Sequence, residues 1–256
     1  MSFQYLSVDE VIPRRGLRMV VVGQVPSPWG EAAKGIFHVK GIDFAAVRLV
    51  YDNEALKSWA QQLSGPVAIL DDEPPRSGWA EILMLAERLA PTPALLPLEP
   101  AARARALRLA DDFCGRNGLG WHRRLQLVHA GITNAGGFPD RIASYLGKKY
   151  GYAAADTELS AARVRELLGG FAATLRAQRD AGHGYYLGAD FSAADIYSAA
   201  FMAMFRPLDE SQCAMNPHLR RAFEWLDAPT AAALDPILLE HRDRVYARHL
   251  ELPLSL

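Results

Sequence analysis

Residues 17–25 read LRMVVVGQV, a short and nearly unbroken apolar run rich in valine, the pattern of a strand buried on both faces. Ala32, Ala33, Ile36, Phe37 and Val39 then recur at helical spacing, and Gly41 stops that helix. FAAVRLVY (44–51) reads as a second strand, EALKSWAQQL as a helix, and PVAIL (66–70) as a third strand. Asp71 to Pro75 form a turn, and WAEILMLAERLA is an amphipathic helix. Strands alternating with helices predict a compact α/β unit with a largely parallel sheet.

PTPALLPLEP (91–100) carries four prolines in ten residues, cannot continue a helix and reads as a linker. Beyond it everything is helical in period. Leu107, Leu109, Ala110 and Phe113 begin one stretch, and the periodicity continues through 121–130, 138–150, 160–180, 192–206, 217–227 and 230–249. The expected organisation is an N-terminal extension (1–16), an α/β domain (17–90), the linker (91–100) and an all-helical domain (101–256).

Composition adds mainly exclusions. The 256 residues are half hydrophobic, enough for a sizeable core in one large or two modest domains. A formal charge of −1 offers no electrostatic reason to expect nucleic acid or an anionic membrane as partner. The two cysteines, Cys114 and Cys213, stand far apart, so neither a disulfide scaffold nor a metal site is expected. His122 and His129 share a helix face without a carboxylate or cysteine at ligand spacing, and HRDR (241–244) reads as an exposed helix turn. With no signal-peptide pattern and no apolar stretch of membrane-spanning length, a soluble, cytoplasmic protein is expected.

The candidate chemistry begins at VPSPWGEAAKG (25–35). Ser27 before Pro28 suits an N-cap followed by proline at the first helical position. The same geometry would also present a hydroxyl beside free helix amides, where an anion such as a thiolate is favoured. From the residues alone both readings stand.

SPWGEAAKGIFHVKGIDF resembles the first helix of the serine-type glutathione transferases, with Ser27, Pro28 and an aromatic Trp29, then Lys40 and Gly41 thirteen and fourteen residues after the serine. The resemblance implies a thioredoxin-like N-terminal domain followed by a glutathione-transferase-type helical bundle (α/β plus all-α). It also implies that Ser27 hydrogen-bonds the sulfur of glutathione, the co-substrate. GPVAIL is similar to the family's cis-proline segment, which implies that Gly65 and Pro66 pair with the cysteinyl part of the tripeptide. The family's acidic-Ser pair for the γ-glutamyl end is replaced by Ser77-Gly78, leaving Ser77 with a hydroxyl and no carboxylate.

YYLGADFSAADIYSAAFMAM (185–204) carries a capping box, Ser192 to Asp195, and resembles the segment that opens the family's most buried C-terminal helix. In GLGWHRRLQLVH (118–129), Trp121 and Arg124 are either core and solvated surface or lining of the substrate side of the cleft, as is Trp29. The implied function is activation of the glutathione thiol for attack on a small electrophile, as in detoxification, by a homodimer. The alternative is a non-catalytic protein of the same fold that binds a ligand or serves assembly.

Overall fold

The structure, a computed structural model, describes residues 5–256. Four strands, β1 (Tyr5–Leu6), β2 (Leu17–Val21), β3 (Ala45–Arg48) and β4 (Val67–Leu70), form one sheet in the order β1-β3-β2-β4. β3 pairs in parallel with both β1 and β2, whereas β4 lies antiparallel to β2, so the sheet is parallel in two of its three pairings. Every residue of β2 is buried, as its unbroken apolar run requires of a strand covered on both faces.

Four helices accompany the sheet: α1 (Val8–Val11), α2 (Pro28–Val39), α3 (Glu54–Ala60) and α4 (Trp79–Leu89). One face packs Val11, Val20, Val47, Leu56, Ala60, Val67 and Ile69 together. The other packs Met19, Val21 and Ala68 against Ala32, Ile36 and Phe37 of α2 and Ile82 and Leu83 of α4. Within the segment read as an extension, Tyr5 and Leu6 pair with Ala46 and Val47, and Val11 is fully buried. These residues cover an edge that would otherwise offer open backbone groups.

Eight helices follow: α5 (Pro100–Cys114), α6 (Leu119–Ile132), α7 (Asp140–Tyr150), α8 (Thr157–Asp180), α9 (Ala193–Phe201), α10 (Pro217–Glu224), α11 (Ala228–Ala233) and α12 (Pro236–His249). The periodic stretch 230–249 is two helices, because Asp235 accepts from the Ile237 amide and Pro236 opens a new first turn. Similarly, 192–206 ends as an α-helix at Phe201 and tightens into a 3₁₀ turn at Met202–Met204. No helix among the described residues is long and apolar enough to cross a membrane.

The linker is held from both sides. The Lys40 ammonium, at the end of α2, pairs with Glu87 at 2.7 Å and donates to the Ala90 and Pro93 carbonyls. Glu87 also accepts from the Leu95 amide, while the Leu95 carbonyl accepts from Ala193 at the start of α9. Leu95 and Leu96 thus enter the core that the sheet and the helices share.

Helix α9 is buried along its whole length. The Asp195 carboxylate, with no exposed surface, accepts from the Ser192 and Tyr186 amides, and the Ser192 hydroxyl donates to the same carboxylate. The capping box read from the sequence is present between Ser192 and Asp195, and the serine hydroxyl also donates to that carboxylate. HRDR is not the exposed turn expected of it. His241 and Arg242 are buried, with His241 Nε2 3.2 Å from Asp195 and Arg242 donating to Asp243 and the Arg206 carbonyl.

Removing the Asp195 carboxylate leaves several buried donors without an acceptor, at about 1–3 kcal/mol each. Asp195→Ala is expected to lower the thermal midpoint by roughly 6 °C or more, since about 1 kcal/mol corresponds to 2–4 °C at this chain length. A calorimetric scan showing an unchanged midpoint would refute this role.

Candidate functional site

The site is built around the first turn of α2. Trp29 donates from its indole to the Cys114 carbonyl at 3.0 Å, and its ring meets Phe201 edge-on at 5.0 Å. Helix α6 comes close only because residue 120 is glycine: a Cβ there would lie 2.3 Å from Phe201 and 2.9 Å from Trp29. At the next turns, a Cβ on Gly35 would lie 3.1 Å from Ile196 and 3.0 Å from Leu250. Two glycines and one tryptophan thereby fix α2 against α6, α9 and the C-terminal segment.

Between the sheet unit and the helices lies a cleft of about 480 Å³. Ser27, Trp29, Gly65, Pro66, Ser77, Trp121 and Arg124, the residues singled out from the sequence, all line it. Ser27 occupies the N-cap position with extended backbone, and its carbonyl accepts from the Glu31 amide at 2.8 Å. Its hydroxyl makes no capping bond. The backbone half of the cap is present while the side chain stays uncommitted at the cleft wall. Glu31, in the same first turn, is buried and paired with Lys34 at 2.7 Å; burial raises its carboxyl above the ordinary range and Lys34 opposes that rise.

Cys114 is the one cysteine on this wall, and burial pushes its thiol well up, with Asp111 adding to the effect. It stays protonated and is a poor nucleophile. Covalent sulfur chemistry in this cleft would have to come from a bound thiol.

The Gly65-Pro66 bond is cis. A Cβ on Gly65 would approach the Val22 amide nitrogen to 3.1 Å, so a side chain here would press on the end of β2. Ser77 precedes α4, and its hydroxyl accepts from the Gln62 amide group at 2.5 Å. The Glu81 carboxylate turns back to accept from the Gly78 amide at 2.8 Å and the Ser77 amide at 3.3 Å. The chain's own carboxylate therefore occupies the two amides that immediately precede α4.

The opposite wall belongs to the helices. Arg124 is 9 % exposed, with its guanidinium carbon 5.8 Å from the Trp29 ring, 5.6 Å from Phe138 and 5.7 Å from Tyr150. Trp121 is half-buried, meets Tyr150 at 4.6 Å and has Arg116 over its ring. Lys149 reaches across to the Ser64 hydroxyl at 3.0 Å; desolvation first and the Arg124 charge second hold its ammonium below the usual range. Among the lining residues Arg116, Arg124 and Lys149 face a single carboxylate, Asp111.

Arg116, Lys149, Tyr150, Gln62 and Trp79 line the cleft without having been picked out from the sequence. The last-turn lysine and tyrosine of α7 carried a weak signal, since both extend the face on which Leu146 lies. His122 bonds Ser160 and Asn117, and His129 bonds Tyr152. Among the described residues no group of three or more His, Cys, Asp or Glu side chains is placed to hold a metal ion.

No protein-family model and no curated protein matches this chain. Solved structures do match. One is a glutathione transferase family member from Pseudomonas fluorescens with two glutathione molecules bound: 16% identity, TM-score 0.64, covering 96% of this chain and 98% of that one. The fold is that of the glutathione transferases. A second structure with this fold, a glutathione S-transferase from Methylobacillus flagellatus with glutathione bound, shares 16% identity at TM-score 0.62, covering 91% of this chain and 96% of its own. A third, from Methylobacterium radiotolerans in complex with glutathione sulfonate, shares 21% identity at TM-score 0.59 over 91% of each chain.

In this glutathione-transferase fold, the approach of α6 to α2 rests on Gly120. Gly120→Ala overpacks the Trp29–Phe201 contact, a change that costs about 1–3 kcal/mol. The expected result is a fall of roughly 2–12 °C in the melting midpoint together with a shift in tryptophan emission as the Trp29 ring is displaced. Wild-type values for both would contradict the close-approach account.

Proposed function

We propose that the protein binds glutathione in the cleft and activates its thiol for attack on a small electrophilic molecule. The observation that carries the reading is the Ser27 hydroxyl, which lines the cleft at the N-terminus of α2 without a capping bond of its own. A free thiol has a pKa of about 8.5, so about 1% is ionised at pH 6.5. A hydrogen bond to a charged acceptor contributes about 1.5–3 kcal/mol, equivalent to roughly one to two pKa units. Together with the helix terminus, that is enough to ionise a substantial share of the bound thiol. The thiol proton leaves to solvent, the thiolate forms the carbon–sulfur bond, and the electrophile's displaced group or electron pair departs from the attacked carbon. Ser27 remains a hydrogen-bond donor throughout.

Gly65, beside the cis-proline, aligns the cysteinyl backbone in this reading. The γ-glutamyl end is held by Ser77 through its hydroxyl, which Gln62 orients, because Glu81 already engages the Ser77 and Gly78 amides. Trp29, Trp121 and Arg124 form the electrophile's side. Glutathione is the co-substrate, no metal takes part, and the role is one of cytoplasmic detoxification. Met84 and Leu89 on α4 and Leu98 on the linker expose apolar surface suited to a homodimer contact.

The same Glu81 contact favours a second reading, a non-catalytic ligand-binding or assembly protein of this fold. Isothermal titration separates them: measurable glutathione binding supports the enzyme, and none at millimolar concentration supports the second reading.

Ser27→Ala removes no capping bond, so its melting midpoint should stay within about 2 °C of wild type. Turnover of a model electrophile at pH 6.5 should fall roughly tenfold to hundredfold, matching the lost charge-assisted bond. Equal turnover in the two proteins rules out the assigned role.

A further inference from the structure

Four arginines in the described residues are buried: Arg18, Arg123, Arg124 and Arg242. Three of them donate to oxygen acceptors, although the Arg18 Nε, like that of Arg124, has no partner. Arg18 donates to the Ile12 and Asp71 carbonyls, Arg123 to the Met204, Phe223 and Trp225 carbonyls, and Arg242 to Asp243 and the Arg206 carbonyl. Arg124 alone has no acceptor among the described residues, and its Nε lies in the interior without a partner. It is also the only one of the four that lines the cleft.

A buried guanidinium nitrogen with no acceptor is costly. The rings of Trp29, Phe138 and Tyr150 supply cation–π attraction. They accept nothing from the N–H fork in its own plane. The surrounding charge does not fill the gap either, since Arg116 and Lys149 are cations and Asp111 is the one carboxylate in the lining. The fork therefore faces a place for an anion that the chain does not provide.

We infer that Arg124 receives the carboxylate of the second substrate, an electrophile with a flat apolar body and a carboxylate at one end. This rests on the glutathione reading of the sheet-side wall. There Ser27, Gly65 and Ser77 are spread along the sheet unit, leaving the tripeptide no need of a group on α6. The planar fork of arginine matches a carboxylate through two parallel bonds, which an ammonium cannot do. The Trp29, Trp121 and Tyr150 rings supply flat apolar surface beside that fork. Arg124 thus selects the substrate's charge while the aromatic slot selects its shape.

The test is isothermal titration of wild type, Arg124→Gln and Arg124→Lys with three probes: glutathione, S-benzylglutathione and S-(4-carboxybenzyl)glutathione. Wild type should bind the carboxylated conjugate at least about tenfold more tightly than the benzyl conjugate. Arg124→Gln should bring that ratio close to one while glutathione affinity changes by less than about twofold, and Arg124→Lys should keep part of the ratio. The wild-type ratio needs no variant, so it decides even if Arg124→Gln fails to fold. Equal binding of the two conjugates by wild type, or an undiminished ratio in folded Arg124→Gln, overturns the inference and leaves the glutathione reading standing. A matching loss of glutathione affinity in Arg124→Gln also overturns it, by assigning Arg124 to the tripeptide. Failure of wild type to bind any probe overturns the glutathione reading, and the inference with it.

Discussion

The clamping of α2 between the sheet and the helical half is the constraint on which the cleft depends. Its buried face packs on Met19, Val21 and Ala68, Trp29 ties its first turn to the end of α5, and Lys40 ties its last turn to the linker. With both ends held, the N-terminal amides and Ser27 keep a fixed position at the floor of the cleft. Both halves of the molecule are needed for that. The sheet alone would leave Trp29 exposed, and the helices alone would have no free helix terminus to enclose.

The electrostatic arrangement follows from what is satisfied and what is left open. Lys34 balances Glu31 within α2, so the buried carboxylate does not cancel the positive character of the nearby terminus. Asp195 is saturated by amides and a hydroxyl deep in the helical half and contributes nothing to the cleft. Cys114 is kept neutral by burial. On opposite walls of the cleft, the Ser27 hydroxyl makes no capping bond and the Arg124 Nε has no acceptor. One suits a sulfur anion and the other a carboxylate.

Much of this was legible in the sequence where a pattern is local. The valine run of β2 announced a strand buried on both faces, and the serine–proline and lysine–glycine pairs marked the two ends of α2. Ser27, Gly65, Pro66, Ser77, Trp29, Trp121 and Arg124 do come together in one cleft, although their spacing alone could not place them there. Tyr5–Leu6 was too short for any period to show. The break before α12 was written as Asp235-Pro236, yet the apolar spacing on either side concealed it. The burial of His241 could not be read from its own helix, because Asp195, nearly fifty residues earlier, creates its environment. The missing acceptor of Arg124 is likewise settled by tertiary packing, whereas the turn of Glu81 back to the Ser77 and Gly78 amides is local, within one helical turn.

The central claim is that a hydroxyl at an uncapped helix end lowers the pKa of a thiol bound beside it. Titrating the ultraviolet absorbance of the thiolate in the protein–glutathione complex measures this directly. The account predicts an apparent pKa at least about one unit below the free value of roughly 8.5, with the shift largely lost when alanine replaces Ser27. A bound thiol that titrates as it does in free solution would contradict it.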